Sequence, residues 1–154
     1  MLDNDRRLNY LIIFLRKLRG MKYTLCLEES KNDGPPLWNH NNKLPSYKII
    51  YNSGSACVGL VNMIRRKQKL NIPTLNKKFI GGTESWFKYL KGFGRLVNID
   101  LNTVYPKGSM LIQNYNPNDQ GHVAIITLSS KQGIMNSKII HSVSGKFKEK
   151  NYNS

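Results

Sequence analysis

Residues 109–143 read SMLIQNYNPNDQGHVAIITLSSKQGIMNSKIIHSV, with three short runs rich in Ile, Val and Leu at 109–115, 122–128 and 138–143. Asn, Pro, Asp, Gly and Ser lie between the runs and favour turns, so the runs read as antiparallel strands. Side chains alternate across a strand. His122, Ala124 and Ile126 therefore share one face of the second run, and Ile139, His141 and Val143 share one face of the third. With Thr127 to Lys138 as a long hairpin, both histidines point to the same side of one sheet.

Upstream the period changes from two to that of a helix. Cys57, Leu60, Val61 and Ile64 fit one face of a helix over 57–68, entered from Ser53-Gly54-Ser55-Ala56. Arg65, Arg66 and Lys67 fall near its C-terminal end, where cations suit the helix dipole. Leu8, Leu11, Ile12, Leu15 and Leu18 recur at helical spacing over 5–19, with Gly20 as a stop, and a shorter helix is predicted over 83–91 around Trp86, Phe87 and Leu90. Residues 28–46, rich in Asn, Pro and Gly, read as an irregular loop, and 146–154 as a solvated basic tail. These readings give an α+β class in one domain over 1–154, with N-terminal helices packed on a small antiparallel sheet. The length suits one core and is short for two.

The formal charge of +15 at pH 7 suits an anionic partner such as nucleic acid or a wall polymer, and the Lys- and Asn-rich composition equally fits an A+T-rich genome. Cys26 and Cys57 make no metal-ligand pattern, and no HExxH or CxxC occurs, so no metal or other cofactor is expected. The two cysteines allow one disulfide or two free thiols; free thiols fit a reducing compartment. The run Leu11-Ile12-Ile13-Phe14-Leu15 is too short to span a bilayer and lacks the features of a signal peptide, which predicts a cytoplasmic or virion-packaged chain without a membrane span.

A thiol is a useful nucleophile only as thiolate, and a helix N-terminus lowers its pKa; Cys57 has that placement. The unpaired N–H groups of the same turn, that of Cys57 included, suit the oxyanion of a tetrahedral intermediate. A catalytic thiol also needs an imidazole as base and a third group to hold the imidazole tautomer, roles open to His122 and His141. The same residues admit a plainer reading, in which a lone cysteine is packing and strand histidines are core or surface groups. His40 reads as a surface residue in a polar loop, and Asp119, in Asn116-Pro117-Asn118-Asp119-Gln120-Gly121, as a turn former.

Five segments occur in a telling order: Arg19-Gly20-Met21-Lys22-Tyr23, Cys57-Val58-Gly59-Leu60-Val61, Tyr105-Pro106-Lys107-Gly108-Ser109-Met110-Leu111, Gly121-His122-Val123-Ala124-Ile125 and Ile140-His141-Ser142. Together they resemble the NlpC-type family of papain-like cysteine peptidases, over most of residues 8–145. The resemblance implies a papain-like fold, with Cys57 as nucleophile, His122 as base and His141 as orienting residue. Tyr23 then corresponds to a tyrosine whose hydroxyl lies near the nucleophile, although a core aromatic is an equal reading. The expected activity is cofactor-free hydrolysis of an amide or peptide bond, with cell-wall peptides, peptidoglycan among them, as the implied substrate class. Ala56 and Val58 stand where the family has Asp and Ser, which help bind a free amino end, so chemistry carries over better than specificity. The long Tyr23 to Cys57 interval and the Lys/Asn-rich composition look more like divergent viral members than bacterial ones. Permuted relatives that transfer acyl groups place histidine before cysteine, the reverse of the order here. The alternative from another class is a non-enzymatic virion or nucleic-acid-binding protein that retains the fold and uses its basic surface.

Overall fold

Each helix buries one stripe of its sequence and ends for a local reason. The computed structural model describes residues 2–24, 44–75, 79–80, 82–114, 116–118, 121–143 and 145–154. Helix α1 (Leu2–Lys17) buries Ile12 and Leu15, carries Arg16 and Lys17 in its last turn and is followed by Gly20 at φ +86°. Helix α2 (Tyr47–Ser53) starts at Ser46, whose hydroxyl accepts from the Ile49 N–H, and stops at Gly54. Helix α3 (Gly59–Lys67) buries Leu60, Val61, Asn62 and Met63, and helix α4 (Thr83–Gly92) buries Trp86, whose indole N–H donates to the Asn62 side chain at 2.7 Å. Strands β1 (Thr74–Leu75) and β2 (Phe79–Ile80) form a small antiparallel pair.

The main sheet is a four-stranded antiparallel meander of β3 (Met110–Gln113), β4 (His122–Leu128), β5 (Lys138–Val143) and β6 (Lys146–Asn151), in that order. A further segment extends it: Gly20 N–H donates to Phe147 O, Phe147 N–H to Met21 O, and Tyr23 N–H to Gly145 O, so the chain after α1 lies beside the first half of β6. Alternation along β4 divides the core. Val123 and Ile125 join Ile140, Phe147 and the helices on one face, while Ala124, Ile126 and Ile139 pack with Ile134, Tyr105, Leu111 and Tyr152 on the other. Arg16 of α1 closes on Glu149 of β6 at 2.7 Å, fastening the helix layer to the sheet.

The fold is α+β, as the alternating and helical periods predict. The bounds of β4 and β5 coincide with the predicted runs, and the hairpin between them carries a 3-10 turn at Ile134–Asn136. The basic tail is instead strand β6: in Lys146-Phe147-Lys148-Glu149-Lys150 the one apolar side chain, Phe147, is fully buried, so the strand is amphipathic although four of its first five residues are charged. Helix α2 and the β1–β2 pair were not expected. Of the predicted loop 28–46 only residues 44–46 are described; Cys26, His40 and Asp119 lie outside the described residues.

Gly54 allows the closest backbone approach at this junction. It sits at φ +81°, and a Cβ there would fall 2.6 Å from Lys22 O and closer still to the Thr24 hydroxyl. Thr24 N–H donates to Ser55 O and Ser55 N–H to Lys22 O, a short parallel bridge that needs this proximity. Gly54→Ala should cost about 2 kcal/mol, roughly 4–8 °C in Tm, read by thermal unfolding; an unchanged Tm would refute this role for the glycine.

Candidate active site

The turn Ala56–Val58 precedes α3, and Cys57 sits one residue before the N-cap Val58. The helix begins at Gly59, two residues later than predicted, because Gly59 N–H bonds to Ala56 O and Leu60 N–H to Cys57 O in a tighter turn. Cys57 is a free thiol, 7% exposed, and packs in the cluster that holds Val123 and Leu60.

The backbone N–H groups of Val123, of Val58 and of Cys57 itself, and the Thr83 hydroxyl, lie toward the sulfur and favour its thiolate form. The position of the Val123 N–H has a structural origin. Ile126 directs its N–H to Ser109 O, toward the β3 side, so Ile125 and Val123 direct theirs toward β5. Among the described residues, however, β4–β5 pairing starts at Ile125 and Ile140. Beyond that point, among the described residues, the two strands fork, and Val123, whose N–H favours the Cys57 thiolate, stands in the fork next to His122.

The two histidines bridge the same fork. His122 opens β4, His141 lies near the end of β5, and His122 Nε2 meets His141 Nδ1 at 2.9 Å with the rings edge to face. His141 Nε2 is buried without a hydrogen-bond partner among the described residues. The predicted meeting of these two side chains on one face is thus present. By alternation that face is the one with Ala124 and Ile126, whereas Cys57 packs with Val123 on the other. The thiol and the imidazoles approach the strand end from its two sides.

Tyr23 is brought to the thiol by the bridge between Tyr23 and Ser55, and it also packs against the core. Burial raises its hydroxyl pKa and the nearby Cys57 adds to the rise, so at neutral pH it is a donor. Burial also pushes the Cys57 thiol up, despite the nearby N–H and hydroxyl groups that favour the thiolate. This corrects the expectation of a thiol activated by the helix end: desolvation outweighs the local N–H groups. Burial, the charge of His122 and the charge of Lys150 push His141 down to about 4, so it is neutral at pH 7.

Two contributors escaped sequence reading. In sequence Thr83 reads only as the start of a packing helix, yet its hydroxyl favours the Cys57 thiolate; and the Val123 N–H has no sequence signature, since its position depends on where strand pairing stops. Gly121 supports both. At φ +77°, a Cβ there would fall 2.5 Å from Gln113 O and 2.7 Å from Thr83 Cγ2. Among the described residues no cluster of His, Cys, Asp or Glu could hold a metal ion, and no helix is long and apolar enough to cross a membrane. Compared with family models, curated proteins and solved structures, the chain matches none.

Two predictions follow from these environments. Iodoacetamide labelling of Cys57 should be slow at pH 7 and rise only above the titration range of a free thiol, with Thr83→Val moving the rise to higher pH; fast labelling near neutrality refutes the raised pKa. The His141 imidazole, followed by NMR, should titrate near 4. Because the unfolded chain binds that proton from about 6.5 downward, stability conferred by neutral His141 is full above 6.5 and is lost as the pH falls toward 4. In His141→Gln that part of the pH dependence of Tm should disappear.

Proposed function

We propose that this chain is a cysteine hydrolase of amide or peptide bonds with a papain-like, NlpC-type arrangement, in which Cys57 attacks, His122 moves the proton and His141 orients His122. The observation that carries the reading is the shared fork: the His122–His141 hydrogen bond of 2.9 Å lies across it, and the N–H of Val123, next to His122, favours the Cys57 thiolate. With His141 neutral and accepting at Nδ1, His122 keeps its hydrogen on Nε2 and presents Nδ1 as the basic nitrogen.

The raised thiol pKa sets the order of events. Cys57 rests protonated, and its proton passes to His122 as the sulfur attacks the carbonyl carbon. The N–H groups of Cys57 and Val58 and the Tyr23 hydroxyl are the donors available to the oxyanion. The C–N bond then breaks, the amine leaves with the proton held by His122, and a thioester remains. Water, deprotonated by His122, splits the thioester into a carboxylic acid and the free thiol. No cofactor enters these steps, and cell-wall peptides are the first substrate class to test.

The test is amine release from peptidoglycan fragments and a mixed peptide library. Cys57→Ala and Cys57→Ser should each reduce the rate by at least about 10³-fold, with unchanged circular dichroism; the serine variant keeps an acceptor for the Val123 N–H. His122→Ala should act similarly. Hydrolysis that persists in both Cys57 variants excludes the assignment.

A further inference from the structure

Beyond the effect of Lys150 on His141, the lysines of β6 are not used in this chemistry, yet they are arranged with regularity. Phe147 faces the helix-side core and Glu149 faces Arg16, so Lys146, Lys148 and Lys150 project from the opposite face. That is the histidine face, since His141 is in register with Lys148. Successive lysines stand about 6.7 Å apart along the strand. A fourth, Lys22, lies directly opposite Lys146. The flanking bonds, Tyr23 N–H to Gly145 O at 2.7 Å and Phe147 N–H to Met21 O at 2.8 Å, make this the non-hydrogen-bonded position, where opposing side chains come closest.

Like charges placed there are unfavourable. Lys22, Lys146 and Lys148 are exposed, and none has an acidic partner among the described residues. Lys150 donates to Ser154 O, and its charge reaches His141. Lysines often guard an open sheet edge, but the first half of β6 is already paired with Gly20–Tyr23. The uncompensated charge calls for a polyanion.

Beside the lysines, one polar side chain from each remaining strand continues across the sheet: His141 on β5, His122 on β4 and Gln113, in register with His122, on β3. A cationic track for phosphates beside ring and amide groups for bases is the form of a single-stranded nucleic-acid surface. Lysine without arginine suits phosphate as a point charge, whereas paired recognition of carboxylates favours the arginine fork. We infer that Lys22, Lys146, Lys148 and Lys150 bind single-stranded nucleic acid, with phosphates along β6 and bases over His141 and Gln113. This binding role goes beyond the hydrolase reading and stands without it, because no part of it uses Cys57.

The experiment is fluorescence anisotropy of a labelled oligothymidylate 12-mer over a range of salt, with the wild type, Lys146→Ala/Lys148→Ala, and Lys91→Ala/Lys131→Ala as a control at exposed lysines elsewhere. The track variant should flatten the slope of log K against log salt by about 1.4, two contacts at about 0.7 each, while the control keeps the wild-type slope. Lys22→Ala, which relieves the opposed pair, should hold or raise Tm and also weaken binding, separating recognition from folding. Equal losses in track and control variants, absence of binding, or competition by polyglutamate or polyglycerol phosphate as strong as by unlabelled oligothymidylate would each overturn the proposal.

Discussion

Among the described residues the pairing of β4 with β5 ends at Ile125, and the arrangement of the site follows from that end. A buried N–H left unpaired costs about 1–3 kcal/mol, so the groups near the end of a pairing matter. The Val123 N–H beyond it and the Thr83 hydroxyl from the start of α4 both favour the thiolate of Cys57. The fork keeps β4 and β5 apart at the end where His122 and His141 stand, and their rings close the gap at a diagonal cross-strand position. Sulfur, imidazoles and the end of strand pairing are one arrangement.

A backbone seam delivers the other components. After α1 the chain turns through Gly20, pairs with β6 through Met21 and Tyr23, and at Lys22 and Thr24 meets Ser55, two residues before the thiol. Gly54 permits this contact, because a side chain at φ +81° would displace Lys22 or Thr24. Tyr23 is thereby held beside Cys57 although 33 positions of sequence separate them. The Arg16–Glu149 pair locks the same helix to the same strand from outside. The helix layer is thus registered against the sheet at the end where the fork opens.

Parts of this were legible in the sequence, and the remainder was not, for physical reasons. The β4 and β5 runs are bounded by turn residues and alternate cleanly, so their limits and the common face of His122 and His141 could be read directly. Strand β6 was obscured because only Phe147 of its first five residues is apolar, and a period of two is hard to see when the solvent face is all charge. The sign of the Cys57 shift was misread for a different reason. The N–H groups of Cys57 and Val58 are local and follow from the helix start, whereas the desolvation that outweighs them comes from the packing of Cys57 into the buried core cluster, a tertiary effect. Strand pairing that ends at Ile125 leaves no trace in composition at all.

The electrostatics of the histidine face bear on the proposed base. His122 can hold its hydrogen on Nε2 only while His141 Nδ1 accepts, which requires a neutral His141. Burial does most to keep it neutral, and the cations around it act in the same direction: Lys150 is one of the charges that lower it, and Lys148 stands in register with it. The basic composition therefore has a local consequence distinct from any long-range attraction of an anionic partner. A carboxylate as third residue would bind the imidazolium form of the base and favour a thiolate ion pair at rest. A neutral histidine among lysines does the reverse, disfavouring an additional positive charge beside it. Burial depresses the His141 imidazole and raises the Cys57 thiol alike, so both groups favour their uncharged forms.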